Sequence, residues 1–157
     1  MRFKFFLILM SICFFTLKTY AQNSKSDFKI VGYYSFNEAM KVDTSQVPFN
    51  KLTHIDLWFV NPDVSGNFNQ NFDALAPFIT AAHRHNVKVL YSIGGGSYQD
   101  QYHALLKNDK RQKLIKDLVS KVTKYNADGI DVDLESGYAF GPDMDPNYAI
   151  FIVELAQ

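Results

Sequence analysis

Short apolar segments, bounded by glycine, proline, asparagine or charged residues, recur along the chain. They are rich in β-branched and aromatic residues, which is typical of strands. The strands that this pattern predicts are Lys29–Ser35, Thr53–Val60, Val87–Ile93 and Gly129–Glu135.

Helical patterns lie between these segments. They predict helices over Phe72–His85, with Pro77 near its start, and Asp109–Tyr125. In the second, apolar residues recur at the spacing of a buried helix face: Leu114, Ile115, Leu118, Val119 and Val122. Strands that alternate with helices predict an α/β fold with a parallel sheet. The alternation alone does not decide whether that sheet is open or closed.

The last segment of the chain predicts one more helix. Asp145 and Pro146 are typical of a helix N-cap and first position. The apolar pattern that follows is still running at Gln157, and no capping glycine or basic last turn precedes that residue. We therefore expect a truncated chain that holds four β-α units, because a closed eight-unit barrel needs about 250 residues.

The N-terminus has the three parts of a secretory signal peptide. Met1–Lys4 is positively charged, Phe5–Phe15 is apolar, and Thr16–Ala21 is more polar and ends in a small residue. We expect a signal peptide over residues 1–21, a polar leader over residues 22–28, and a secreted or periplasmic protein. The alternative is a membrane anchor, but an unbroken span needs about 20 apolar residues, so stable membrane insertion is not expected.

Composition and charge exclude several classes of protein. The 157 residues carry 16 basic and 16 acidic side chains, and 47% are hydrophobic. This balance excludes a strongly basic nucleic-acid binder and a disordered polyacidic segment. The single cysteine, Cys13, lies in the predicted signal peptide, so the mature chain has neither a disulfide nor a thiolate metal site. What remains is one domain, or part of a larger one.

The fourth predicted strand carries a row of acids. Because side chains alternate along a strand, Asp131, Asp133 and Glu135 lie on one face and apolar residues on the other. Carboxylates in such a row repel one another and raise the pKa of at least one of them. Glu135 falls at the carboxyl end of the strand, where α/β active sites are built, and a protonated carboxyl group there is suited to general acid catalysis.

Two other interpretations of the acid row are a calcium loop and a solvated edge strand. A calcium loop requires glycine and glutamate where this chain has Ser136 and Pro142. The edge strand is disfavoured by the apolar residues on the opposite face, which imply a covering helix, but it is not eliminated.

The segment Asp128–Glu135, DGIDVDLE, matches the D-x-x-D-x-D-x-E signature of glycoside hydrolase family 18, the chitinases and endo-β-N-acetylglucosaminidases. Ser92–Gly95 is similar to the S-x-G-G motif of that family, and Gly32–Tyr34 and Leu52–Ile55 resemble its first two strands. The resemblance runs from Lys29 to the end. It implies a (β/α)8 TIM barrel, of which residues 29–157 are the N-terminal half, with about the first four β-α units.

The resemblance also implies roles for individual residues. In this family the 2-acetamido oxygen of the substrate attacks the anomeric carbon, an exception to the scheme with two catalytic carboxyl groups. Glu135 would then be the acid and later the base. Asp133 would orient the acetamido group, and Asp131 would share a proton with Asp133. Ser92 would hydrogen-bond the inner acid, and Tyr33 would line the sugar site. Asp128, outside the inward row, would be structural.

The implied substrate is a polysaccharide or oligosaccharide that contains N-acetylglucosamine, such as chitin, cleaved with retention. The residues after Glu135, Ser136 and Gly137, depart from the usual family pattern, as does Leu134, so the substrate subtype stays open. The alternatives are an endo-β-N-acetylglucosaminidase acting on N-glycans, a chitinase-like carbohydrate-binding protein without catalysis, and another glycosidase or a deacetylase.

Other candidate features predict no further chemistry. No cofactor or metal is expected. The glycines at Gly94–Gly96 do not fit a nucleotide-binding motif, His83 and His85 are two apart on a helix and so face different ways, and no cysteine or glutamate lies at metal-ligand spacing from His54 or His103. An exposed loop is predicted around Gly66, with Asn61, Asn67, Asn69 and Asn71. Trp58, at the end of the second strand, fits a core position and a sugar platform equally well.

Overall fold

The computed structural model describes residues 28–96, 99–135 and 145–157. The predicted signal peptide lies outside these residues, as do Ser136 and Gly137. Within them, four parallel strands form one sheet in the order β1-β2-β3-β4. They are β1 (Val31–Ser35), β2 (His54–Trp58), β3 (Lys88–Gly94) and β4 (Gly129–Asp133). The four predicted strands are therefore present, and β4 ends two residues before Glu135.

Helices connect the strands, as the alternation predicts. The helices are α1 (Phe36–Ala39), α2 (Ala76–Arg84), α3 (Gln99–Leu105), α4 (Asn108–Lys124) and α5 (Pro146–Leu155). Short 3-10 turns occupy Thr44–Gln46, Phe49–Lys51 and Phe72–Leu75. The predicted helix over Phe72–His85 thus begins as a 3-10 turn, and α1 and α3 were not predicted. No helix in the described ranges is both long and apolar enough to cross a membrane.

The helix that was predicted at Asp145 begins there. The side chain of Asp145 accepts a hydrogen bond from the backbone N–H of Asn147 at 2.8 Å, and Pro146 occupies the first turn. The hydroxyl or carboxyl oxygen of an N-cap residue satisfies one of the unpaired donors of the first turn in this way.

Two similar turns lead from helices into strands. After α2, Asn86 has a φ of 58°, and after α4, Asn126 has a φ of 57°. In the first, the N–H of Val87 binds the carbonyl of Ala82 at 3.0 Å; in the second, that of Ala127 binds Val122 at 3.0 Å. This is the Schellman arrangement, in which asparagine tolerates the left-handed conformation. The turns fix where β3 and β4 begin.

The strands are buried against helices on one side of the sheet. One apolar cluster packs β2 and β3 against α2 and the turns before it, and includes Ile55, Leu57 and Val89. A second cluster contains Ile93, Leu114, Leu118, Leu134 and Phe151, with Ile130 and Val132 packed against it. The apolar face of β4 is therefore covered by α4 and α5, which disagrees with the solvated edge strand. The other face of the sheet carries the acids.

Arg111 joins α4 to α5. Its guanidinium group donates to both carboxylate oxygens of Glu154, at 2.8 and 3.1 Å, and to the carbonyl of Leu106 at 2.8 Å. The hydrogen bonds from Arg111 lower the pKa of the Glu154 carboxyl group. A bidentate pair of this kind fixes the relative position of two helices more precisely than a single contact would.

Candidate functional site

The register of the sheet brings residues from all four strands to one face. Tyr33 of β1 pairs with Asp56 of β2, and Ser92 of β3 pairs with Asp131 of β4. Further along, Gly94 pairs with Asp133. Because neighbouring parallel strands lie about 4.8 Å apart, residues that pair in register stand side by side. The predicted site residues Tyr33, Ser92, Asp131 and Asp133 therefore lie on one face of the sheet, on β1, β3 and β4, and Asp133 is the last residue of its strand.

Asp131 is at the centre of a hydrogen-bonded group. The buried hydroxyl of Ser92 donates to Oδ2 of Asp131 at 2.5 Å, which is the short distance expected for a hydroxyl on a carboxylate. The phenol of Tyr33 makes a longer contact with the same oxygen, at 3.5 Å. The hydrogen bond from Ser92 to the inner acid, implied by the family resemblance, is thus present in the structure.

The side chain of Tyr33 is exposed, and its surroundings raise the pKa of its phenol. Partial burial raises the pKa of its phenol, and the negative charges of Asp131, Asp56 and Asp133 raise it further. The phenol therefore stays protonated and can donate a hydrogen bond throughout the physiological pH range.

The carboxyl group of Asp56 is a fourth acid on this face, and the sequence analysis missed it. Its side chain is only 6% exposed, and Oδ1 has no hydrogen-bond partner among the described residues. Burial, followed by the charge of Asp131, raises the pKa of Asp56 from 3.8 to about 6. Burial in a medium of low polarity disfavours the charged form of a carboxyl group. Asp56 is therefore largely protonated below about pH 6.

Glu135 follows β4 and is exposed. A Cβ atom placed on Gly96 would lie 3.7 Å from its Oε2 atom, so the Glu135 carboxylate lies over the glycine loop that follows β3. The carbonyl of Asp133 accepts a hydrogen bond from the N–H of Gly95 at 2.7 Å, which ties the same loop to the end of β4. The backbone of the acid row and the loop thus hold each other in place.

The two glycines of the S-x-G-G segment have a steric reason. Gly94 and Gly95 have φ angles of 105° and 77°, which residues other than glycine rarely adopt. A Cβ on Gly94 would collide with the backbone carbonyl of Asp133. On Gly95 it would lie 2.5 Å from Cε2 of Phe59. Glycine allows the β3 loop to approach β4 on one side and the Phe59 ring on the other.

The side chain of Asn61 holds the glycine loop that follows β3. It was predicted to lie in an exposed loop, and this prediction is wrong, because the side chain is buried. Its amide donates to the carbonyl of Gly94 at 2.9 Å and accepts from the N–H of Gly94 at 2.7 Å. The hydroxyl of Tyr102, on α3, donates to the same amide oxygen at 2.6 Å. The Asn61 side chain thus satisfies both backbone groups of Gly94, as a neighbouring strand would, at the end of β3.

Asp128 and the histidines lie away from the acid row. Oδ2 of Asp128 accepts from the N–H of Val89 at 2.8 Å and contacts Nε2 of His83 at 2.7 Å, at the start of β4. These contacts tie the start of β4 to β3 and α2, at the opposite end of β4 from Glu135. His103 contacts Asp145 at 2.7 Å. No cluster of three metal-ligating side chains occurs within the described ranges.

The sequence model described as glycosyl hydrolases family 18 matches residues 29–157. The chain belongs to glycoside hydrolase family 18. A curated relative, described as a chitinase-like effector from Moniliophthora perniciosa, is 39% identical over 126 residues, which are 76% of this chain and 28% of the relative.

Solved structures agree in fold. The family 18 chitinase of Cycas revoluta, in complex with (GlcNAc)3, superposes with a TM-score of 0.70 at 23% identity, over 82% of this chain and 40% of that one. A chitinase-like agglutinin from Robinia pseudoacacia gives 0.66 at 23% identity, over 80% and 39%. The prediction of a (β/α)8 barrel is confirmed. The chain spans less than half the length of these relatives, and its four strands in sequential order correspond to part of such a barrel.

The candidate site contains residues that the sequence analysis identified and two that it missed. Within family 18, the acid row on β4 and the S-x-G-G segment on β3 are the features that the sequence showed first. Asp56 and Asn61 add to them. A signal for Asp56 was present in the sequence, since it is an acid in the middle of an otherwise apolar strand, on the same face as Tyr33 in the final register.

Proposed function

We propose that the protein carrying this chain is a glycosidase that hydrolyses β-1,4 bonds next to N-acetylglucosamine units, with retention of configuration. Chitin and chito-oligosaccharides are the proposed substrates. The observation that carries the proposal is the position of Glu135, an exposed carboxyl group at the end of a row whose inner member, Asp131, is held by Ser92 and Tyr33. Glu135 is open to a substrate, whereas Oδ2 of Asp131 is already engaged by two neighbouring hydroxyl groups, so the two acids are placed for different roles.

The reaction would proceed in two steps. In the first, the carbonyl oxygen of the 2-acetamido group bonds to the anomeric carbon, the glycosidic C–O bond breaks, and Glu135 gives its proton to the leaving oxygen. In the second, Glu135 takes a proton from water, whose oxygen attacks the anomeric carbon and releases the acetamido group. Asp133 would accept a hydrogen bond from the acetamido N–H and keep the nucleophilic oxygen in line. Asp131, next to it, would share its proton.

Tyr33 and Asp56 would support this chemistry from the first two strands. The phenol of Tyr33 is exposed on the acid face and protonated, so it can line the sugar site and donate to the substrate or to Asp131. Asp56 in its protonated form adds no negative charge beside Asp131, which limits the repulsion among the acids.

Two variants test the proposal in the full-length protein. Glu135→Gln removes the transferable proton and keeps the size of the side chain. We expect it to lower the rate of chitotetraose hydrolysis at least about 100-fold, as expected for loss of a general acid, while binding persists. Glu38→Gln, at an exposed glutamate of α1 far along the chain from the acid row, is the matched control and should keep the wild-type rate. A Glu135→Gln variant that turns over chitotetraose at the control rate would show that another group is the acid.

A second candidate function is carbohydrate binding without hydrolysis. It is favoured by the descriptions of two similar proteins as a chitinase-like effector and a chitinase-like agglutinin. The same experiment separates the candidates, since a binding protein would bind chitotetraose and leave it intact with Glu135 present. An endo-β-N-acetylglucosaminidase would instead release glycan from an N-glycosylated protein, and that substrate belongs in the same assay.

Export belongs to the same proposal. A polymeric substrate such as chitin cannot enter the cell, so an enzyme that cleaves it has to act outside the cytoplasm. The sequence of residues 1–21, with its basic start and apolar middle, supports export through a signal peptide.

A further inference from the structure

Trp58 is exposed at the end of a strand whose centre is buried. Ile55, Asp56 and Leu57 precede it in β2 and are almost inaccessible, but 42% of the surface of Trp58 is accessible. A tryptophan side chain offers more apolar area than any other, and leaving that area in water sacrifices favourable free energy. The exposed indole lies next to the candidate site, so its accessible face is available to a ligand bound there.

The indole is braced on one side by Phe59. The two ring centroids are 5.7 Å apart and the planes meet at 66°, an edge-to-face contact. Phe59 itself is held against Gly95, where a Cβ atom would lie 2.5 Å from the Phe59 ring. The second glycine of the S-x-G-G segment therefore makes room for the ring that supports Trp58. The Phe59 ring therefore supports one side of the indole, and much of the rest of the Trp58 surface is left accessible.

The platform lies beside the acid row. Trp58 is two residues after Asp56, so both side chains are on the same face of β2. It pairs with Ser35 of β1, and Leu57, the residue before it, pairs with Tyr91, the residue before Ser92. β2 is two strands from β4, a distance of about 10 Å. A saccharide chain with one unit at the acids can therefore reach Trp58 with a neighbouring unit.

We infer that the indole of Trp58 is a stacking platform for a pyranose ring of the substrate, next to the ring that is held at the acid row. The apolar C–H face of an N-acetylglucosamine ring packs on the exposed face of the indole, and the hydroxyl and acetamido groups at the rim of the sugar stay in water. This inference rests on the proposed function and extends its site from β4 to β2. It makes Trp58 a binding residue that selects for oligosaccharides over single sugars.

Fluorine NMR of the full-length protein tests the inference. The protein is labelled with 5-fluorotryptophan and carries Glu135→Gln to prevent turnover. A second sample with Trp58→Phe in addition identifies the Trp58 resonance as the one that disappears. We expect this resonance to shift saturably during titration with chitotetraose, with the same Kd that calorimetry gives. N-Acetylglucosamine alone, which occupies one ring position, should shift it far less.

Affinity measurements supply the energetic test. Trp58→Ala should weaken chitotetraose binding about tenfold, which corresponds to about 1.4 kcal/mol. Trp58→Phe keeps an aromatic face and should stay within about threefold of the parent, whereas Trp58→Leu, which is apolar but not flat, should behave like the alanine variant. The labelled protein with Trp58 intact answers the question even where a substitution lowers stability.

The outcomes separate the inference from the proposed function. Binding of chitotetraose with an unmoved Trp58 resonance, or with equal affinity in the alanine variant, would overturn the platform and leave the function standing. Absence of chitotetraose binding in calorimetry and in the fluorine spectra would overturn both.

Discussion

The substitution Asp56→Asn changes how the stability of the protein depends on pH. Folded Asp56 keeps its proton to about pH 6, whereas the pKa in the unfolded chain is near 3.8. Between these values the folded state binds more protons than the unfolded state, so the free energy of unfolding falls as the pH rises. The stabilisation is fully present below about pH 4 and is lost above about pH 6. Asparagine has no proton to lose and removes this dependence.

The magnitude follows from the difference in pKa. At about 1.4 kcal/mol for each pKa unit, a rise from 3.8 to about 6 corresponds to about 3 kcal/mol. The side chain is only 6% exposed, but some solvent screening remains, so about 3 kcal/mol is the upper bound of the effect. At pH 4 the unfolded carboxyl group is already more than half ionised, so relative to the wild type Asp56→Asn should gain about 2 kcal/mol between pH 4 and pH 7.5. In urea denaturation that gain moves the difference between the two midpoints by about 1 to 2 M.

Urea denaturation of the full-length protein, followed by circular dichroism at several pH values, measures this effect. Asp63→Asn is the control of opposite sign. Hydrogen bonds to Asp63, first that from the N–H of Asn67, lower its pKa, so its contribution to stability is lost as the pH falls. If the midpoints of Asp56→Asn and the wild type differ by the same amount at pH 4 and pH 7.5, Asp56 titrates alike in both states and the argument from burial is wrong.

Further measurements can examine the glycine loop, the outer strands of the sheet and the N-terminus. Gly95→Ala should destabilise the protein by about 2 kcal/mol or more, because it combines a positive φ with a Cβ atom 2.5 Å from Phe59. Thermal melting measures this effect, and an unchanged melting temperature would contradict the packing described. Residues 22–157, expressed without the predicted signal peptide, should associate in gel filtration and be inactive on chitotetraose, because β1 and β4 are outer strands of the described sheet. An active monomer would refute this. N-terminal sequencing of the exported protein should begin near Gln22, and Met1 on membrane-embedded material would favour an anchor.

The strands and the acid row could be predicted because their signals are local. Alternation places Asp131, Asp133 and Glu135 on one face without any knowledge of the neighbouring strands. The helix at Pro146 is equally local, since its N-cap and its proline are adjacent in sequence. The capping asparagines, Asn86 and Asn126, carry a comparable local signal at the junctions of helix and strand.

Asp56 and Asn61 could not be placed in the same way, because their surroundings depend on contacts between distant parts of the chain. Asp56 lies on β2 and Asp131 on β4, with β3 between them. Whether the two acids influence each other therefore depends on the order and register of three strands, which the sequence does not show. Asn61 has the composition of an exposed loop residue, and it is buried because Gly94 and Tyr102, both more than 30 residues away, supply its partners. Helix α3, which carries Tyr102, has no clear apolar period in the sequence.

The anomeric form of the first product tests the central claim most directly. Proton NMR during hydrolysis of chitotetraose by the full-length protein distinguishes the two anomers of the new reducing end before they interconvert. Attack by the acetamido group followed by water, with Glu135 as acid and then base, predicts that the β-anomer appears first and the α-anomer grows in later. The Glu135→Gln variant should bind chitotetraose and release neither anomer at a comparable rate. First appearance of the α-anomer would show inversion and would contradict the mechanism, and an intact tetramer that remains bound to the wild-type protein would contradict the enzymatic function itself.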